Sequence, residues 1–76
     1  MSISVKYFAS IRERLNRSEE IIEPEPGLTA ADVWTRATGE GLPANTLVAI
    51  NQEHAHAQHE VSDGDEVAFF PPVTGG

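Results

Sequence analysis

The stretch TAADVWTRATG, residues 29–39, contains the main helix that this sequence of 76 residues predicts. Thr29 is a good N-cap, and Asp32 lies in the first turn, where the helix dipole favours a negative charge. Val33 and Trp34 follow at helical spacing with alanines on either side, and glycines at positions 39 and 41 indicate the C-terminal exit. We therefore predict a helix over residues 30–38, with an apolar side that other elements must cover.

Two strands and a shorter helix are predicted before this helix. Residues 3–8 alternate between two faces with a period of two, which is typical of a strand with one buried face. Residues 9–15 can form a short helix, for which Asn16 is a plausible terminator. Residues 18–23 contain two adjacent isoleucines and precede a stretch rich in proline, so we expect a second strand in a hairpin-like return.

Three further strands are predicted after the main helix. The apolar run at residues 47–50 is too short for a helix and indicates an interior strand. A polar turn at residues 51–53 separates it from a short strand at residues 54–57. The tight turn Asp-Gly-Asp, residues 63–65, then leads into the last strand, residues 66–70.

This order of elements predicts the fold class. With one main helix, the economical α+β architecture packs that helix across one face of a mixed sheet, in a roll of the β-grasp type. The first and last strands would lie side by side in its middle. We expect a single domain over residues 1–76, from which residues 71–76 protrude as a flexible C-terminal tail.

Composition and charge exclude several function classes. A net charge of −7 disfavours nucleic acid and anionic membranes, and favours a basic protein partner. The N-terminus lacks the features of a signal peptide and no apolar run approaches a membrane span, so we expect a cytoplasmic protein. The sequence contains no cysteine, which removes disulfides, thiolate metal sites and any side-chain thiol that could carry sulfur.

Three histidines are the most obvious candidates for a metal site. His54 and His56 are two residues apart, which puts them on one face of a strand, and His59 is nearby. Imidazole pairs at this spacing can share a zinc or nickel ion. Because no third ligand stands at a fixed spacing, we favour a polar hairpin and predict no metal site.

Acidic residues form two further candidate sites. Glu19, Glu20, Glu23 and Glu25 form either a docking surface for a basic protein or a solvated face, and the second interpretation is favoured. The acidic residues around position 64 resemble half of a calcium loop, but the remaining ligands are missing, so a turn explains them better.

Two phenylalanines fall on the polar faces of their strands. Phe8 follows the face of Ser4 and Lys6, and Phe70 follows the face of Glu66. If the first and last strands pair, Phe8 and Phe70 merge into one exposed apolar patch, which is the composition of a binding hot spot. We favour this interpretation over the alternative, in which Phe8 tucks under a loop.

The last six residues, Pro71, Pro72, Val73, Thr74, Gly75 and Gly76, determine the functional prediction. The two prolines end the strand and form a stiff spacer. The two glycines have no Cβ, so this end can enter a slot too narrow for other residues. In a protein without cysteine, the terminal carboxylate is then the group that can carry an acyl-linked cargo, once it has been activated, for instance by adenylation with ATP.

The ending FFPPVTGG, the opening VKYFASIRERL and the segment AINQ resemble the small sulfur-carrier subunit of molybdopterin synthase. The resemblance implies a ubiquitin-like β-grasp fold and a Gly76 that an E1-like enzyme adenylates, with ATP, and converts to a thiocarboxylate. The tail, from Pro71 through Gly75, would insert into the large synthase subunit, and the sulfur would pass to cyclic pyranopterin monophosphate. It also implies a heterotetramer with Phe8 and Phe70 at the interface, no permanently bound cofactor, and no catalysis by this subunit alone.

Two features leave room for other interpretations. His54 stands where this resemblance implies an apolar contact residue. Ubiquitin-like protein modifiers and the thiamine-pathway sulfur carrier also end in Gly-Gly and use the same activated C-terminus. A further alternative is a ubiquitin-like binding module that never reacts.

Overall fold

Five strands form one sheet in the computed structural model of the chain, which describes residues 2–72. The order across the sheet is β2-β1-β5-β3-β4. The strands are β1 (Ile3–Tyr7), β2 (Glu19–Ile22), β3 (Leu47–Ile50), β4 (Glu53–Ala55) and β5 (Glu66–Phe70). The first and last strands are therefore neighbours in the middle of the sheet, as the sequence predicted.

The sheet is mixed because one pair is parallel and the others are antiparallel. β1 and β5 run parallel, with Val5 opposite Val67. β1 pairs with β2, and β3 pairs with both β4 and β5, in the antiparallel sense. The described residues thus confirm the predicted α+β architecture of the β-grasp type.

The main helix, α2 (Ala30–Thr38), begins with a capping box. The Thr29 hydroxyl accepts a hydrogen bond from the Asp32 amide at 3.2 Å, and the Asp32 carboxylate accepts one from the Thr29 amide at 3.0 Å. Gly39 ends the helix in the left-handed conformation, with φ of 79°, which glycine adopts at little cost.

Both helices pack on one face of the sheet, which we call the inner face. Trp34 of α2 is fully buried and makes edge-to-face contacts with Tyr7 and Phe69, at ring centroid distances of 6.1 and 5.0 Å. The short helix α1 (Ala9–Leu15) contributes Ile11 to the same core and ends at Asn16, as predicted. The residues that alternate with the polar face in β1 and β5 are also buried there: Ile3, Val5, Tyr7, Val67 and Phe69.

The prediction for β4 was wrong in its bounds. We expected residues 54–57, but the strand covers Glu53–Ala55. Asn51 and Gln52 both have positive φ, 52° and 70°, so two residues suffice to reverse the chain. Glu53 is already paired with Ile50.

Among residues 2–72, no helix has the length and apolar character needed to cross a membrane.

Candidate functional site: the outer sheet face beside the end of the last strand

The sheet face opposite the helices, which we call the outer face, carries the two phenylalanines that the sequence singled out. The rings of Phe8 and Phe70 stack with centroids 4.7 Å apart and an angle of 6° between their planes. Phe8 remains 39% exposed, and Phe70 is half-buried. The structure therefore brings both side chains together on the surface, and Phe8 does not tuck under a loop.

The backbone fixes this pair at the end of two central strands. The Phe8 amide donates a hydrogen bond to the Phe69 carbonyl at 3.2 Å, which extends the pairing of β1 with β5 by one residue. Phe8 is also the N-cap of α1, so its conformation is set by the strand before it and the helix after it. The stacked rings thus lie on a rigid part of the fold.

Leu47 completes the patch, although no signal in the sequence singled it out. It pairs with Phe70 across β3 and β5 and is half-buried. The run at residues 47–50 predicts an interior strand, and β3 does lie between β5 and β4. Only Val48 and Ile50 face the core, while Leu47 and Ala49 face outward. The register of β3 with β5 places Leu47 beside Phe70, but a single sequence does not provide that register. We call Phe8, Leu47 and Phe70 the aromatic patch.

Smaller and charged side chains surround the aromatic patch on the outer face. One row across the sheet runs from Lys6 through Ala68 and Ala49 to His54. The two alanines make the centre of this face flat, because neither extends beyond its Cβ. Lys6 forms an ion pair with Glu66 at 3.4 Å, and both side chains are partly exposed. The outer face is therefore apolar at one end of the central strands and charged toward the other.

The predicted reactive end of the chain continues from this patch. Phe70 ends β5, and Pro71 and Pro72 follow it directly. Val73, Thr74, Gly75 and Gly76, which the sequence predicts as the inserting tail and its reactive terminus, lie outside the described residues. The described part of the chain fixes where this segment starts: at the centre of the sheet, beside the aromatic patch.

His54 lies on the outer face at the β4 end of the sheet, opposite Ala49. The rings of His54 and His56 are 6.3 Å apart and nearly perpendicular. The His59 backbone belongs to a turn, because its amide donates to the His56 carbonyl at 3.0 Å and its carbonyl accepts from Ala30 at 2.9 Å. Within residues 2–72, no three or more His, Cys, Asp or Glu side chains are grouped so that they could hold a metal ion.

The acidic turn before β5 is a structural element. The Asp65 carboxylate accepts hydrogen bonds from the Ser62 amide at 2.8 Å and from the Asn51 side chain at 2.9 Å. These two bonds hold the pKa of Asp65 below its ordinary value. The Asn51 side chain also accepts from the Glu66 amide at 3.0 Å, so the turn is tied to the start of β5. Asp65 is engaged in this network, which supports the interpretation of the segment as a turn.

A second polar contact fixes β2 against β1. The Tyr7 hydroxyl donates a hydrogen bond to the Glu20 carboxylate, which also pairs with Arg17 at 2.9 Å. Burial and the contact with Glu20 raise the pKa of Tyr7 well above its ordinary value. Tyr7 therefore stays neutral near pH 7, where it serves as a hydrogen-bond donor within the fold.

Comparisons with known proteins are consistent with this fold over the whole chain. The sequence model of the ThiS family matches residues 5–76. The molybdopterin synthase sulfur carrier subunit of Escherichia coli (strain K12) is 39% identical over 83 aligned residues, which cover 97% of this chain and 99% of that protein.

Solved structures show the same architecture. The crystal structure of SAMP1 from Haloferax volcanii superimposes with a TM-score of 0.82 at 26% identity, over 100% of both chains. A protein complex of subunits 1 and 2 of the molybdopterin-converting factor from Helicobacter pylori 26695 contains a chain that matches with a TM-score of 0.66 at 18% identity, again over 100% of both chains. At that identity the second similarity indicates the fold alone.

Proposed function

The chain belongs to the ThiS family, and on this premise we propose that it is a sulfur carrier whose C-terminal Gly76 holds the sulfur as a thiocarboxylate. The observation that carries the proposal is the full-length similarity to a molybdopterin synthase sulfur carrier subunit, at 39% identity. The family match also includes the last residue of this sequence. The absence of cysteine supports the same assignment, because no side-chain thiol competes with the terminal carboxyl group.

Loading requires the carboxylate to be activated first. An oxygen of the Gly76 carboxylate attacks the α-phosphorus of ATP, pyrophosphate leaves, and a glycyl adenylate forms. Hydrosulfide then attacks the carbonyl carbon and AMP leaves, and loss of the remaining S–H proton to solvent gives the thiocarboxylate. An E1-like adenylyltransferase performs these steps, and this chain supplies the terminus and the surface by which it is held.

The fold supports the delivery of such a terminus. β5 is the central strand of the sheet, with β1 on one side and β3 on the other, so the segment after Phe70 starts from a rigid point. Pro71 and Pro72 restrict the backbone of its first two residues. Val73, Thr74, Gly75 and Gly76 then enter the active site of the large synthase subunit, where small side chains permit close approach to the sulfur acceptor, cyclic pyranopterin monophosphate.

The aromatic patch is the surface by which the large subunit is recognised in this proposal. The exposed ring of Phe8 and the half-buried ring of Phe70 stack beside the start of the reactive segment, so one docking event also places the terminus. Two small and two large subunits form the synthase. Aromatic residues are enriched at the centres of protein interfaces.

Intact-mass analysis tests the proposal. The chain is produced together with its activating enzyme, and the expected spectrum contains a species heavier by the exchange of one oxygen for sulfur. A variant that lacks Gly76 is the control and is expected to remain unmodified. A terminus that ATP and the activating enzyme never modify would exclude the proposed function.

A second function uses the same activation and is favoured by one comparison. SAMP1 of Haloferax volcanii, the small archaeal modifier protein 1, shares the fold at a TM-score of 0.82. In this alternative an amine of another protein attacks the carbonyl carbon of the adenylate, AMP leaves, the amine loses a proton, and an amide with Gly76 forms. Immunoblots of a tagged chain distinguish the two, because only the modifier forms Gly76-dependent adducts of higher mass. A thiamine-type carrier, the third use of the same terminus, is distinguished by the acceptor that takes the sulfur in a reconstituted reaction.

A further inference from the structure

Strand β2 forms one edge of the sheet, and its side away from β1 is open in the described structure. Ile21, in the middle of this strand, is 64% exposed, more than any other large apolar side chain among residues 2–72. It lies opposite Ser4 on the outer face. Ser4 is four residues before Phe8, which corresponds to about 13 Å along the strand direction. Ile21 is therefore separate from the aromatic patch, and the proposed function does not use it.

The backbone of Ile21 is also available for pairing. The Tyr7 amide donates to the Ser18 carbonyl at 2.9 Å, which makes Tyr7 and Ser18 a hydrogen-bonded pair. Because such pairs alternate along an antiparallel ladder, Glu20 and Ile22 bond to β1, whereas Glu19 and Ile21 direct their amide and carbonyl groups away from the sheet. No residue in 2–72 makes a hydrogen bond to these groups of Ile21. The most exposed apolar side chain thus coincides with an open ladder position.

Two carboxylates flank Ile21 on the same side of the strand. Glu19 and Glu23 are both exposed, and neither forms an ion pair in the described part of the chain. If a second copy of β2 paired antiparallel around Ile21, Glu19 of each copy would lie opposite Glu23 of the other. Like charges directly opposite each other are destabilising, and charged side chains on an edge oppose self-association. The charge pattern therefore disfavours a second copy and favours a basic segment.

We propose that the edge of β2 binds an extended peptide segment of a partner protein, in which an apolar residue stands between two basic residues at alternate positions. The segment adds a sixth strand to the sheet, its backbone pairs with Glu19 and Ile21, its apolar side chain covers Ile21, and its basic side chains face Glu19 and Glu23. This site goes beyond the proposed sulfur transfer, because it lies at the sheet edge, away from the reactive terminus. The net charge of −7 assists the approach of such a partner.

The probe is the synthetic peptide Thr-Lys-Val-Ile-Val-Lys-Thr with blocked ends, added to the full-length, isotopically labelled chain. We expect chemical-shift changes centred on Glu19, Ile21 and Glu23, and slower hydrogen exchange of the Ile21 amide. The same peptide with glutamates in place of both lysines should bind at least about tenfold more weakly, since two ion pairs become two repulsive pairs. Added salt should weaken the lysine peptide.

Variants of the chain complete the test. Ile21→Thr keeps a β-branched side chain and should lose binding while remaining folded. The double variant Glu19→Lys, Glu23→Lys should bind the glutamate peptide more tightly than the lysine peptide. The control is the double variant Glu13→Lys, Glu53→Lys, which changes the net charge equally at other exposed positions. It should keep the wild-type preference for the lysine peptide. Equal binding of both peptides, or an Ile21 amide whose exchange the peptide leaves unchanged, would overturn the proposal. So would a concentration-dependent dimer that Ile21→Thr abolishes, because the edge would then serve self-pairing.

Discussion

Replacement of Phe8 by alanine gives the most direct measure of the aromatic patch. An aromatic side chain offers about 150–250 Å² of surface, so the 39% of Phe8 that is exposed corresponds to about 80 Å². Burial of that area against the large synthase subunit contributes about 2 kcal/mol at about 25 cal/mol per Å². We therefore expect Phe8→Ala to raise the Kd for the large subunit about 30-fold.

The same substitution also affects the isolated chain. The rest of the Phe8 surface, about 120 Å², is buried within the chain, in part by the stacked ring of Phe70. Its loss lowers the free energy of unfolding by about 2 to 3 kcal/mol. A chain of this size has about 4 to 11 kcal/mol in total, so the variant is expected to stay folded. Urea unfolding establishes this before binding is measured.

The assay is isothermal titration calorimetry with the purified large subunit, and Ile21→Ala is the matched control. Ile21 is also an apolar side chain on the outer face and is more exposed than Phe8, but it lies away from the aromatic patch. The control is expected to bind with the wild-type Kd. A folded Phe8→Ala chain that binds as tightly as the wild type would refute the role of the patch, and so would an equal loss of affinity in both variants.

Three further predictions concern the fold that positions the site. Thr29→Ala removes half of the capping box of α2 and should lower the free energy of unfolding by about 1 kcal/mol in urea titrations, whereas Thr29→Ser should restore it. Asp65 has a lowered pKa in the folded chain, so it contributes stability above its unfolded pKa of about 3.9, and this stability is lost as the pH falls further. Thermal unfolding of Asp65→Asn should therefore depend less on pH below about 4 than that of the wild type. An identical acid profile of the two proteins would contradict this. Tyr7 has a raised pKa, so its hydroxyl contributes to the free energy of unfolding below its unfolded pKa of about 10, and this contribution is lost at higher pH. Tyr7→Phe should therefore lose less stability between pH 7 and a pH above 10 than the wild type, which unfolding at the two pH values would measure.

Local sequence signals predicted most of the elements. The helix at Ala30–Thr38 carries its own start and stop signals, Thr29 and Gly39, so its bounds follow from residues within it. The same is true of α1, which Asn16 ends with a left-handed conformation. The alternation of residues in β1 and β5 assigned their faces, and the stacking of Phe8 on Phe70 agrees with that assignment.

Signals that depend on distant partners were less informative. The bounds of β4 depend on how tightly residues 51 and 52 turn, and neither is a glycine, so their positive φ values are not apparent from composition. The outward position of Leu47 depends on the register of β3 with β5. Ala68 faces outward by alternation, yet it is only 6% exposed, because β1 and β3 flank it on both sides.

The position of β5 has a consequence for how the chain folds. The pairs β1–β2 and β3–β4 are each formed by residues close in sequence, but within the sheet the two hairpins are joined through β5 alone. β5 pairs in parallel with β1, about 60 residues earlier in the chain, so the slow step of folding is expected to be the closure of this long loop. Release of β5 would separate the sheet into two hairpins, neither of which is stable alone. The strand that precedes the reactive terminus is therefore also the one whose docking makes folding cooperative.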